Sequence, residues 1–234
     1  MLPVPAVLIL ILMGLGSQAE MGLAAEGWAQ VKGMVLFRGI VPEAKSIQVT
    51  ADEGFCGKEV RIQPVQVHAE TLGVRHAVVS IQGIITHMPD DAGSTRVVVN
   101  AKCAFSPRVS AGRIGETLEI QNLDPILHNT HVVVGKKTIV NVAQVAGSRP
   151  IPKTLKRTGL YAIRCDKHTF MAGALQVFDH PYFTVTDEFG AFQLPRLPAG
   201  SYTLVIWHET LGRVEQEISV PSQGSVALKI EYPS

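Results

Sequence analysis

The sequence has no long run of lysine and arginine, and its formal charge over 234 residues is only +1. That excludes nucleic acid as the main partner, because neutralising phosphates needs clustered positive side chains. The richest basic group, Lys153, Lys156, Arg157 and Arg164, reads as a solvated surface, with a docking patch as the second reading. After Trp28 no apolar stretch reaches the roughly 20 residues that a membrane span takes. No cysteine follows the apolar run 2–15, which excludes a bacterial lipid anchor there. Zinc-protease motifs are lacking, and between Ala29 and Ile85 no helical period persists over a useful length.

The apolar run itself, followed by small residues, has the pattern of a secretory signal. Ser17, Gln18 and Ala19 offer a small-x-small cleavage site, so the expected signal is 1–19, with Ala24 or Ala25 as later alternatives. The n-region lacks Lys and Arg, which keeps an uncleaved anchor as the competing reading. The mature part is expected to be periplasmic or secreted, with no membrane span once the signal is removed.

Cysteine is scarce, with three in the chain. Three fit an oxidising compartment if two are paired and one is spent on a metal. Cys56 in DEGFCGK and Cys103 in NAKCAFSP have no histidine at ligand spacing, so they are the expected disulfide. Two free thiols, or a second redox or metal site with His68, His76 or His87, are the other readings.

What is concentrated is chemistry in residues 161–171, YAIRCDKHTFM. Cys165, His168 and Met171 are spaced three apart, so a chain leaving a strand can curl with all three pointing at one centre. A fourth donor is available in LDPILHNTHVVV, where His128 follows a proline-containing turn and precedes a β-branched run. His128 and His131 fall on opposite faces of an extended strand, so only one of them reaches such a centre. A thiolate, two imidazoles and a weak thioether form the donor set of a blue-copper electron-transfer site. Zinc fits less well, because methionine is a poor zinc ligand. For Met171 alone the competing reading is a core methionine packed under the loop.

These segments resemble the cupredoxins, and among them the amicyanins most. GETLEIQNLDPILHNTHV and GLYAIRCDKHTFM match the two halves of that family's copper site in order and spacing. The resemblance implies type 1 copper with His128, Cys165 and His168 as equatorial ligands and Met171 as the long axial one. It selects His128 over His131. It implies that the Asn129 backbone N–H lies near the thiolate sulfur and that the Asn129 side chain ties the two ligand loops together. It further implies that His168 is the exposed ligand through which electrons pass to a transient redox partner protein, with no enzymatic transformation. Thr169 and Leu127 stand where the family has prolines, and neither change removes a donor.

The expected fold class is all-β: a Greek-key cupredoxin sandwich flanked by an N-terminal β module and a C-terminal transthyretin-like β-sandwich. In residues 28–90, β-branched runs alternate with Gly33, Gly39, Pro42, Gly54, Gly57 and Gly73, which predicts a β module. This part resembles the segment that precedes the copper domain in exported bacterial proteins of the methylamine-utilisation or plastocyanin-like kind. The polar bridge HMPDDAGST puts a boundary near residues 90–94, and 95–178 has the length of a sandwich of seven or eight strands. Within it, residues 96–124 read as two strands joined by a loop at 110–115. Residues 180–233 resemble the carboxypeptidase regulatory-like domain, through the Thr186, Asp187, Gly190, Phe192 and the Leu197, Pro198, Gly200, Tyr202 patterns. Asp187 and Gly190 are expected to turn a hairpin, and Phe192 and Tyr202 to fill a core. Trp207, His208 and Glu209 form a cluster read mainly as the end of a core strand. Together these readings predict an exported copper protein carrying single electrons. A periplasmic copper storage or delivery protein, or a metal-free β-sandwich binding or adhesion module, are the alternatives.

Overall fold

The computed structural model describes residues 27–83 and 94–233. The expected signal, its later cleavage sites, His87 and most of the polar bridge lie outside these residues. Alternation of apolar and polar side chains, strict in the run 117–121, makes the described chain almost wholly β, with nineteen strands and one single-turn helix. First come β1 (Trp28–Phe37), β2 (Lys45–Gln48), helix α1 (Glu53–Cys56), β3 (Glu59–Ile62) and β4 (Val78–Gln82). The middle of the chain forms β5 (Thr95–Ala101), β6 (Ala104–Ser106), β7 (Val109–Arg113), β8 (Thr117–Asn122), β9 (His128–Val134), β10 (Lys137–Gln144), β11 (Ile151–Thr154), β12 (Gly159–Arg164) and β13 (Ala172–Phe178). The last part forms β14 (Phe183–Val185), β15 (Ala191–Gln193), β16 (Leu197–Pro198), β17 (Gly200–His208), β18 (Gly212–Val220) and β19 (Ser225–Tyr232).

The middle strands make two sheets, β10-β9-β12-β13-β7 and β11-β8-β5-β6. Their inward faces supply one core, with Val98, Leu118 and Ile120 from one sheet and Val132, Tyr161, Ile163, Leu175 and Val177 from the other. This sandwich has nine strands where seven or eight were expected. The loop expected at 110–115 is largely strand β7, which pairs in parallel with β13 from Val109↔Ala174 to Arg113↔Phe178. Its small residues Ala111 and Gly112 are buried, so the segment packs as a covered edge strand although it lacks a β-branched run.

Among the described residues of the stretch 28–90, only β2 and β3 make a sheet by themselves, of two strands. Strand β1 pairs in parallel with β19 over eight positions, from Gln30↔Ser225 to Phe37↔Tyr232. Strand β4 lies between β14 and β17 in the sheet β14-β4-β17-β18. The C-terminal sandwich is therefore completed by N-terminal strands, and Val31, Val35, Val79 and Ile81 share its core with Leu204, Ile206 and Ile230. The physical reason is size: a domain near 60 residues buries only about 60% of its unfolded surface and is marginal without help. The hairpin β2–β3 instead packs on the middle sandwich, through Ile47, Val49, Cys56, Val60 and Ile62.

The turn at Asp187–Gly190 joins strands of different sheets, since β14 pairs with β4 and β15 with β1. The Asp187 carboxylate accepts the N–H groups of Phe189 and Ala191 at 2.9 and 2.8 Å. Gly190 has φ +79°, a left-handed conformation that suits glycine. Phe192 is buried, and Tyr202 is half-buried with its hydroxyl donating to the Pro198 carbonyl at 2.9 Å. His208 is buried and accepts the N–H groups of Thr210 and Leu211 through Nδ1, while Glu209 pairs with Arg108 at 2.7 Å.

Candidate metal centre

The centre lies at one end of the middle sandwich, where the β8–β9 turn meets the loop between β12 and β13. Asn122 ends β8 and shapes that turn. Its Nδ2 donates to the carbonyls of Ile126 and Gln144, both at 2.9 Å, and its Oδ1 accepts the Asp124 N–H at 3.1 Å. The buried Asp124 carboxylate is thereby aimed at three donors: the N–H of Lys102 at 2.6 Å, the N–H of Cys103 at 2.9 Å, and His128 Nε2 at 2.8 Å. Lys102 and Cys103 occupy a left-handed turn (φ 54° and 56°) between β5 and β6, which turns both N–H groups toward Asp124.

His128 is the first residue of β9 and is fully buried. Because Nε2 donates to a carboxylate, the other ring nitrogen carries the lone pair. That atom, Nδ1, is buried with no hydrogen-bond partner among the described residues. Burial depresses the His128 pKa, the Asp124 hydrogen bond opposes this, and the neighbouring His168 adds to the depression.

The second half of the centre is a tight loop. Met171 N–H donates to the His168 carbonyl at 2.9 Å, and Cys165 N–H to the Met171 carbonyl at 3.3 Å, which folds the segment back on itself. The Cys165 sulfur accepts the N–H groups of His168 and of Asn129, each at 3.4 Å, and lies 3.5 Å from His168 Nδ1. The Asn129 side chain accepts the Asp166 N–H at 3.0 Å and donates to Asn141, joining the two ligand-bearing segments. Donor atoms of His128, Cys165 and His168 all lie within 4.8 Å of one another, and all three residues are buried. The two imidazole rings are 4.7 Å apart between centroids. Met171 is buried in the same core cluster as Cys165.

His131, on the same strand as His128 but three residues on, points away from this group. It pairs with Asp166 at 3.1 Å and meets Thr138 Oγ1 at 3.0 Å, and through it the Asp166 carboxyl is held below its usual range. Cys56 and Cys103 are joined by a disulfide. A second cluster of potential donors, Cys103 with Asp124 and His128, therefore has no free thiolate to offer. His68 accepts the Thr71 N–H, and His76 lies apart in a left-handed turn.

One expectation fails. His168 is not exposed: only 1% of its surface is accessible. Helix α1 lies over it, and the carboxylate of Asp52, the residue capping that helix, accepts from His168 Nε2 at 2.8 Å. Lys167 Nζ is 2.6 Å from the same carboxylate oxygen. The Lys167 hydrogen bond is the main reason that the Asp52 carboxyl is held below its usual range, with His168 adding to it against burial. The cover is tied down where α1 ends, by the Cys56–Cys103 disulfide. The sequence reading missed both carboxylates. Asp124 carried a signal, a short acidic side chain in the turn just before His128. Asp52 sits 116 residues before His168, and only the Cys56–Cys103 pairing points to it.

The residues present fit a metal that takes sulfur and imidazole donors. An orphaned buried Nδ1, a sulfur with two N–H donors and a second imidazole, each imidazole oriented by a carboxylate through its remote nitrogen, is the arrangement of ligating histidines with their supports. No family model matches the chain, and no curated protein matches it.

Among the solved structures it is similar to are a nitrite reductase and several amicyanin mutants. A copper-containing nitrite reductase from Thermus scotoductus SA-01 is 25% identical over 35% of this chain, with a TM-score of 0.33. The chain spans 22% of that reductase's length. A reduced single-site mutant of amicyanin is 22% identical over 43% of this chain and 98% of its own, again with a TM-score of 0.33. An oxidised amicyanin mutant gives the same figures. Among the described residues no helix is long and apolar enough to cross a membrane.

Proposed function

We propose that this chain is an exported copper protein that carries single electrons through a type 1 site held by His128, Cys165, His168 and Met171. The observation that carries the reading is His128 Nδ1, buried without a partner beside a buried cysteine and a second buried imidazole. Copper, when bound, supplies a one-electron couple, for which thiolate and thioether suit the reduced ion and imidazoles suit both states. The chain's own part is to hold the donors still. Asp124 and Asp52 keep protons on the remote nitrogens of His128 and His168, so each ring presents its Nδ1. Two backbone N–H groups hold the sulfur in place. Little then has to move when an electron arrives.

The partner is a second redox protein, met transiently, and no substrate is transformed. The Cys56–Cys103 disulfide supports a periplasmic or secreted location, since such bonds persist in oxidising compartments. The C-terminal sandwich, similar in its motifs to the carboxypeptidase regulatory-like domain, serves as scaffold.

The covering of His168 favours a second reading, copper storage or delivery, because it closes the edge through which electrons were expected to leave. The test is a visible and electron paramagnetic resonance spectrum after addition of copper(II), followed by voltammetry, with Cys165→Ser as control. Electron transfer predicts an intense sulfur-to-copper band with narrow hyperfine splitting, lost in the variant, and a reversible couple. A colourless protein that keeps copper(I) supports storage. A protein that takes up no copper overturns both.

A further inference from the structure

A cleft of about 400 Å³ opens between the two sandwiches, behind the ligand loop. Its walls come from three parts of the chain: β3 and the segment after it, the bridge around residues 66–76, and the run from Cys103 to Arg108, with Phe170 and Met171 at the back. Three guanidinium groups line it, those of Arg61, Arg75 and Arg108, together with His76 and the amides of Gln63 and Gln66. No acidic side chain is among its lining residues. Arg108 is tied by one nitrogen to Glu209 at 2.7 Å, outside the cleft. Arg61 and Arg75 are exposed, and neither has an acidic partner among the described residues.

On a chain of net charge +1, three arginines in one concavity with no carboxylate in the wall are a local excess of positive charge, of the kind that concentrates anions. The geometry suits a ligand. A volume of this size lies within the range of small-molecule sites, and planar guanidinium groups bind carboxylate or phosphate through paired N–H donors. His76 shows the same field. It is held in a left-handed conformation at φ 66°, and such outliers in bulky residues gather at functional sites. Burial, then Arg75, Arg108 and His208, push its pKa down to about 4.

We infer that this cleft is a binding site for a small, multiply charged oxyanion, an organic polycarboxylate or a phosphate, gripped by Arg61, Arg75 and Arg108 with Gln66 as a neutral donor. The inference does not rest on the copper reading, although Met171 forms part of the same wall.

The test is calorimetric titration of citrate, and separately of inorganic phosphate, into the full-length copper-free protein at low ionic strength. One saturable site is expected for at least one of them. Arg61→Gln and Arg75→Gln should each weaken it about tenfold, the worth of one lost charge-assisted hydrogen bond. Arg38→Gln, which alters an exposed arginine paired with Glu231 on the C-terminal sandwich, should leave it unchanged. The better-bound anion tells a carboxylate ligand from a phosphate. The inference is overturned if neither anion binds saturably below about 10 mM, if binding survives both substitutions, or if Arg38→Gln weakens it equally.

Discussion

Asp52 Oδ2 lies 2.8 Å from His168 Nε2, so the second imidazole of the candidate metal centre ends on a carboxylate from a segment that precedes the sandwich. The first imidazole does the same with Asp124 at 2.8 Å. Both rings are therefore oriented, and made better donors, by an anionic group on their remote nitrogen.

Asp52→Asn keeps the shape of this contact and removes its charge. Copper(II) affinity should fall about tenfold, the lower end for loss of such a support. If copper(I) affinity is little changed, the reduction potential should rise by about 59 mV, one decade for one electron. Chelator competition and voltammetry read these directly. Unchanged values would make Asp52 a surface ion pair with Lys167 and nothing more.

The disulfide closes a loop with a sequence separation of 47. In the chain-entropy account such a loop contributes about 4 kcal/mol. Cys56→Ser should lower the urea midpoint accordingly. It should also free α1, so His168 becomes reactive toward an imidazole-modifying reagent against which the parent protein is protected. Equal reactivity in both would show that the cover does not depend on the disulfide.

His76, with its pKa depressed to about 4, binds fewer protons in the folded state than in the unfolded one. Its contribution to stability is present above the unfolded value of 6.5 and is lost as the pH falls from there through about 4. His76→Asn tolerates the left-handed backbone and does not titrate. Denaturant midpoints at pH 7 and pH 4.5 should differ more in the parent protein than in the variant, and equal differences would refute the assignment.

A side chain at Gly190 would place its Cβ 2.4 Å from Gly73 Cα and 2.7 Å from the Val35 carbonyl oxygen, at φ +79°. Both neighbours are backbone and cannot swing aside. Gly190→Ala should cost at least about 2 kcal/mol. Gly54→Ala, whose Cβ meets nothing within 4 Å, should be close to neutral. Thermal unfolding of the two variants separates them.

The all-β character and the candidate donors could be read from the sequence because they rest on local information. Strand alternation has a period of two, and the Cys165, His168 and Met171 spacing lies within one loop. Asn129 was legible for the same reason, as it adjoins His128. What the sequence could not decide was where residues 28–90 go. Strand β1 finds its partner β19 at the far end of the chain, and β4 finds β14 and β17, because the C-terminal strands alone bury too little surface to stand. Nor could it show that His168 is covered. That depends on Asp52, brought across 116 residues by a disulfide and by the packing of Val49, Val60 and Ile62 on the sandwich. Local spacing determined which atoms face one another at the candidate metal site. Only long-range packing, where burial outweighs the cost of closing a loop, decided what covers them.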